Sequence, residues 1–534
     1  MFSVVPAFVV GAGILLTRLT GLVRQRVFAH YFGLGPEADA FSASFRIPNL
    51  LQNLFGEGAL SASFIPVYAS LIAQGRKRDA DRVAVAVLSL LALVVSAIVL
   101  GGLLATPLLI DLIAPGFEGG QRALTIQLVR ILFPGAGLLV LSAWCLGVLN
   151  SHRRFLLAYT APVMWNASMI ATLVMFGGQS SLPRLAVLLA WGSVVGCALQ
   201  FAVQLPAVLR LLGTPPSGEI RLAAEPTTGL NVRTQVREII RNFVPSFVSR
   251  GVVQISAFID TLLASLLPTG AVAALKNAQL LYTLPVSLFG MSVSAAELPA
   301  LSEISAISGP AGADPGLADV LRRRIDAGLR QIAFFVVPSV VAFIALGDVI
   351  AAAIFETGRF DRADSLYVWA ILAGSAIGLL PSTLGRLYSS AYYALRDTRT
   401  PLRYAIVRVS LGTVMGYLFA IPLPRWLEIP GMWGAAGLAV AAGLAGWVEM
   451  LMLRRKLNRR IGDTGVAPGY AARLWGSAAV AGALAFAVKM MMPAVHPVIV
   501  ALAVLGTFAG SFLLGTLALR IPEAATALKR ATKR

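Results

Sequence analysis

Apolar residues run through this chain in blocks of about twenty or more, separated by short polar connections, from one end to the other. Such blocks suit helices that cross a bilayer, whose hydrocarbon core takes about 20 residues at helical rise. They fall at 4–32, 38–72, 84–112, 122–150, 156–178, 184–212, 236–267, 271–304, 328–356, 363–395, 401–422, 431–454, 471–492 and 496–520. The pattern predicts an all-α polytopic membrane protein of about fourteen transmembrane helices. Composition agrees: 57% of residues are hydrophobic and 13% charged, against about 25% charged in a typical soluble domain.

The connections carry direction. Every second one is basic: Arg76, Lys77, Arg78 and Arg82, then Arg153 and Arg154, then Arg322, Arg323 and Arg324, then Arg454, Arg455 and Lys456. The intervening ones hold little: Arg122, Arg184, Arg359, Arg362 and Arg425. By the positive-inside rule both termini are expected in the cytoplasm. The net charge of +19 is then a matter of topology. It predicts contact with anionic lipid headgroups and not with nucleic acid. The first block has neither a basic leader nor a small-residue cleavage site, so it is expected to be retained. Cys145 and Cys197 both lie in apolar blocks, where a thiol packs as a small hydrophobe.

The chain also repeats itself. "FPGAGLLVLSAWCLGVLNSHRRF" parallels "LPSTLGRLYSSAYYALRDTRTP", each with a mid-block proline (Pro134, Pro381) and a basic turn after it. "IPNLLQNLFGEGALSASFIP" parallels "LPVSLFGMSVSAAELP". Each repeat joins an even-numbered block to another even-numbered block, so the halves are expected to run parallel, with a cavity between them. Residues 1–212 read as an N-lobe, 213–235 as a cytoplasmic linker rich in Pro, Gly and Thr, and 236–454 as a C-lobe. Residues 455–534 hold two further helices and a basic tail.

Charges inside the blocks mark the candidate chemistry, because an ionised side chain at the bilayer centre costs about 2.5–3.5 kcal/mol on insertion scales. The first block carries Arg18, Arg24 and Arg26. Arg18 lies about 14 residues in, roughly 20 Å at helical rise, near mid-bilayer. The second block adds Asp39, Arg46 and Glu57, with glycines Gly56 and Gly58 around the last. The second half repeats the device with Arg250, followed by Asp260 and Lys276. Cavity-facing arginines favour an anionic substrate, and their planar forks suit phosphate oxygens. A pairing of Arg18 with an acid such as Glu57 is the structural alternative, and anchoring at the membrane interface is the one for Arg24 and Arg26. His30, His152 and His496 lack ligand spacing, and no Walker A pattern occurs. A transporter is therefore expected, not an enzyme, and one without a cofactor. It would be driven by membrane potential or by a coupling ion, proton or sodium, with Asp39, Glu57 and Asp260 as the candidate carriers.

"RLTGLVRQRVFAHYFGLGPEADAFSASFRIPNLLQNLFGEGALSASFIPVY", "IFETGRFDRADS" and "YYALRDTRTP" resemble, in order, the motifs of the MurJ (MviN) lipid II flippase family. That family belongs to the multidrug/oligosaccharidyl-lipid/polysaccharide exporter superfamily. The resemblance implies two six-helix lobes and two further helices that form a lipid-facing groove. It implies a bacterial inner-membrane protein that moves the undecaprenyl-pyrophosphate-linked peptidoglycan precursor from inner to outer leaflet by alternating access. Cell-wall synthases would be its natural neighbours. Arg18, Arg24, Asp39, Arg46 and Glu57 match charged positions of the family. Two commonly basic positions are neutral here: the family's Arg-Arg is Gln52-Asn53, and the eighth-helix arginine is Leu280. Arg250 and Lys276 are the expected replacements. Export of another lipid-linked oligosaccharide is the alternative cargo. A multidrug exporter would instead be expected to display acids in its cavity.

Overall fold

The computed structural model describes residues 4–55, 57–212, 232–291, 293–294, 297, 301, 315–395, 397–493 and 495–525. Among these the regular structure is helical. Nine helices are long and apolar enough to cross a membrane, or ten if one bent pair counts as a span. The expected blocks outside that set fall on a helix with three arginines, on a stretch cut into short helices, and on segments that lie partly outside the described residues. The proposed linker lies outside them from 213 to 231.

The chain forms two compact units, Met1–Leu262 and Leu263–Arg534. In the first, α1 (Val4–Phe32) precedes three short helices, α2 (Pro36–Ser44), α3 (Arg46–Phe55) and α4 (Glu57–Ala73). The long helices α5 (Lys77–Ile113) and α6 (Gly119–Ser151) follow, then α7 (Phe155–Thr160), α8 (Pro162–Phe176), α9 (Leu182–Leu212) and α10 (Val232–Ser265). The central helix is α6, packed by α9, α5 and α2 to α4. Its interior face is built for close approach. A Cβ on Gly135 would press Cys197 and Val194 of α9, one on Gly137 would meet Val95 of α5, and one on Gly147 would press Phe64 of α4. Small residues at such crossings give the van der Waals contact that joins helices in lipid. A buried polar cluster at the α6–α9 crossing is internally paired: Ser142 donates to Gln204 at 2.6 Å and accepts from Gln200 at 3.0 Å.

The second unit begins in the last turn of α10. It continues with α11 (Ala271–Pro285, extended by a π-helical turn to Met291), α12 (Pro315–Phe355), α13 (Arg362–Ala376) and α14 (Leu379–Ala394). Then come α15 (Arg399–Ala420), α16 (Pro422–Trp426), α17 (Gly434–Ile461), α18 (Pro468–Met491) and α19 (Pro497–Ala518). Helices α13 and α14 are one apolar stretch bent by 42°. At the bend Gly378 abuts Gly443 of α17, where no side chain fits. Helices α18 and α19 pair with each other and rest on α12. Phe334, Leu474, Phe508 and Phe512 form the heart of that contact. The buried Asp348 of α12 ties two further elements to it, accepting from Arg362 at 2.6 Å and Lys489 of α18 at 2.9 Å.

Candidate functional site: intramembrane cations of the first unit

Residues 13, 17, 20 and 24 of α1 recur every three or four positions, so they share one face. That face lies on α7 and α8. Thr17 donates to the Tyr159 carbonyl at 2.9 Å, and Asn166 donates to Thr20 at 3.3 Å. At the end of the row, the Arg24 guanidinium stacks over the Trp165 ring, 4.7 Å from its centroid, and reaches the Met169 sulfur at 4.0 Å. Stacking on one face fixes the plane of the guanidinium and leaves its edge donors in the plane, the geometry that accepts an oxyanion. Trp165 is itself fixed, donating to Ser193 at 2.9 Å.

Trp165 also meets Phe45, with ring centroids 6.0 Å apart. Phe45 ends a ladder of Phe28, Phe41 and Phe45 and immediately precedes Arg46. One aromatic cluster therefore links the Arg24 and Arg46 regions. Asp260 on α10 lies within electrostatic reach of Arg46. Further along the same two helices Asn53 donates to Gln254 at 3.3 Å, and Phe55 meets Phe243 at 5.7 Å. Arg250 stands one turn before Gln254 on α10.

The expected site residues separate accordingly. Arg24 stacks on Trp165, which meets Phe45, the residue before Arg46. Arg18 is exposed and stands about 100° around α1 from Thr17, off the row that holds Arg24. Among the described residues neither Arg18 nor Arg24 pairs with a carboxylate. Asp39 is 2% exposed, in the first turn of α2. A carboxylate there is favoured by the helix dipole. Lys276 is half-buried on α11, in the second unit. The side chains of Glu57 and Arg250, residue Gly56 and Pro299 lie outside the described residues.

A second group of charges was not anticipated. Arg408 of α15 pairs with Glu449 of α17 at 3.1 Å. Arg386 of α14 acts on the same carboxylate and on Tyr282 of α11. The Tyr282 hydroxyl lies 2.8 Å from that of Ser382. Each charge stands alone in an apolar run, "LGRLY", "IVRVS" and "WVEML", and that isolation was the available signal.

The fold is that of a polytopic transporter. A solved structure titled "Lipid II flippase MurJ, inward closed conformation" superimposes with a TM-score of 0.76 at 21% identity, covering 96% of this chain and 99% of its own. An inward-facing multidrug resistance MATE family transporter of the MOP superfamily gives 0.64 at 19% identity, covering 83% of this chain and 95% of its own. The sequence goes further. Residues 28–522 match the family described as Lipid II flippase MurJ, and the chain belongs to that family. Among curated relatives, the Lipid II flippase MurJ of Burkholderia cenocepacia is 32% identical over 449 residues, 84% of this chain and 82% of its own. The Probable lipid II flippase MurJ of Rhizobium tropici is 32% identical over 466 residues, 86% and 81%.

Proposed function

We propose that this protein is a lipid II flippase of the bacterial inner membrane. It moves the polyprenyl-pyrophosphate-linked peptidoglycan precursor from inner to outer leaflet by alternating access. The observation that carries the reading is the state of Arg18 and Arg24: two cations within a membrane helix of this family, neither paired with an acid among the described residues. Cations left unneutralised in an apolar element await an anion, and a pyrophosphate supplies it. Fourteen helices, two pseudo-symmetric lobes around a central cavity, and cytoplasmic termini are the architecture that this transport cycle uses. Helices α18 and α19, apolar and outside the repeat, are suited to guide the lipid tail.

Arg250 replaces a family arginine absent at Gln52-Asn53. The Asn53–Gln254 hydrogen bond supports this, because Arg250 precedes Gln254 by one turn and so shares its face of α10. Lys276 stands in the same way for Leu280. Arg46 completes the cation set with its charge balanced by Asp260. Asp39, Glu57 and Asp260 are the coupling candidates for a proton or sodium ion, and cell-wall synthases the candidate partners.

Complementation tests the function. Bacteria depleted of their own lipid II flippase receive this chain or its Arg18→Ala variant. Rescue by the wild type alone is expected. Rescue by both would demote Arg18 to a structural residue. Rescue by neither, with membrane expression verified, would point to another lipid-linked cargo.

A further inference from the structure

The outer surface of the first unit carries an arginine that the flippase reading does not use. Arg130 lies on α6 in a groove of about 430 Å³, which it lines with Gln127, Ile131, Pro134 and Trp191. The helices packed on α6 display exposed apolar residues in rows, Leu93, Leu100 and Leu104 on α5 and Val195, Leu199 and Val203 on α9. Apolar side chains displayed in such rows on a membrane protein face hydrocarbon. Gly147, which packs on α4, stands about 100° around α6 from Arg130. Arg130 is exposed and makes no hydrogen bond or ion pair among the described residues.

A cation in contact with lipid is costly unless it meets an anion. Arg130 sits eight residues from Arg122, about 12 Å along the helix. Arg122 is tied to Asp111 at 2.6 Å at the membrane-boundary end of α5 and α6. From that depth an arginine side chain is long enough to reach headgroup level. The groove offers more than a snorkelling charge. Gln127 adds amide donors and an acceptor. Pro134 has no N–H for the Arg130 carbonyl, which leaves a backbone acceptor beside the cation. Below them Ile131, Pro134 and Trp191 form an apolar floor. A phosphate, a headgroup hydroxyl and an acyl chain match these three features in that order.

We infer that this groove binds an anionic phospholipid, its phosphate on Arg130 and its chain along Pro134 and Trp191. The leaflet is that of the Gly119 end of α6, the outer one under the orientation proposed above. The site stands apart from the cargo arginines of α1, so it can fail without the flippase reading failing.

The test is native mass spectrometry of the purified full chain titrated with phosphatidylglycerol or phosphatidylcholine. Wild-type protein is expected to retain phosphatidylglycerol preferentially. Arg130→Gln should weaken that retention by about tenfold, the worth of a charge-assisted hydrogen bond. Arg184→Gln, an exposed arginine at the same end of α9, should leave it unchanged. Should Arg130→Gln fail to fold, Gln127→Trp fills the groove without altering charge and should also expel the lipid. Equal binding of phosphatidylcholine by wild type, unchanged retention in the groove variant, or equal losses in the Arg130 and Arg184 variants would overturn the assignment. So would displacement of the phospholipid by undecaprenyl pyrophosphate, which would make the groove a cargo site.

Discussion

Two arginines on apolar helices, Arg24 of the first unit and Arg408 of the second, are held in opposite ways. In the first, Arg24 rests on a tryptophan face and Arg18 is exposed, with no acid paired to either among the described residues. In the second, Arg408 meets Glu449 at 3.1 Å, and Asp348 is shared between Arg362 and Lys489. An aromatic face steadies a guanidinium without cancelling its charge, whereas a carboxylate cancels it. Cations of the first kind remain free to recruit an anion from solution or membrane. Those of the second kind hold helices together, since separating such a pair strands a charge in a poor solvent.

If that distinction is right, substitutions should part into losses of transport and losses of stability. Arg408→Ala should have the largest effect on stability, about 3 kcal/mol, read as a lower melting temperature in detergent. Arg408→Leu combined with Glu449→Leu should recover much of it. Transport lost by Arg408→Ala at unchanged stability would place this pair with the cargo cations instead. Arg24→Ala should lower flipping of a labelled polyprenyl-pyrophosphate lipid in vesicles by at least about tenfold, at near wild-type melting temperature. Arg24→Lys should recover only part, because an ammonium lacks the planar fork. Trp165→Leu should cost about fivefold in the same assay, the worth of roughly 1 kcal/mol of cation–π contact.

The smallest effect concerns pH. His152, in the turn after α6, shares a hydrogen bond of 3.0 Å with the Tyr68 hydroxyl. Burial, then the charges of Lys77 and Arg154, hold its pKa below the ordinary 6.5. The unfolded chain therefore takes up this proton first, and stability falls as pH drops below about 6.5. His152→Gln should flatten that acid limb in melting curves recorded from pH 7.5 to 5 and leave the neutral plateau little changed.

The membrane class, the alternation of basic loops and the family were legible in the residues, because each depends on a local property. Length of an apolar run, charge of a loop and order of a motif need no knowledge of what touches what. Arg18 and Arg24 stood out for the same reason. Arg386, Arg408 and Glu449 are equally isolated charges, but no spacing in the sequence joins them to one another.

Partnership was the illegible part. Nothing in the spacing of Arg24 indicates a tryptophan 141 residues later in the chain, and nothing in the sequence around Asp260 indicates that Arg46 comes within its electrostatic reach. Asp39 looked like the other membrane acids, yet it is buried in a helix first turn. Arg130 reads as one more cation in an apolar run, and its groove exists because α9 brings Trp191 beside α6. Hydropathy and charge are set residue by residue, so the chain alone settled where it lives and what sign of cargo it attracts. Whether a given charge is neutralised, stacked or left open depends on helices brought together from distant positions, and that was settled by packing.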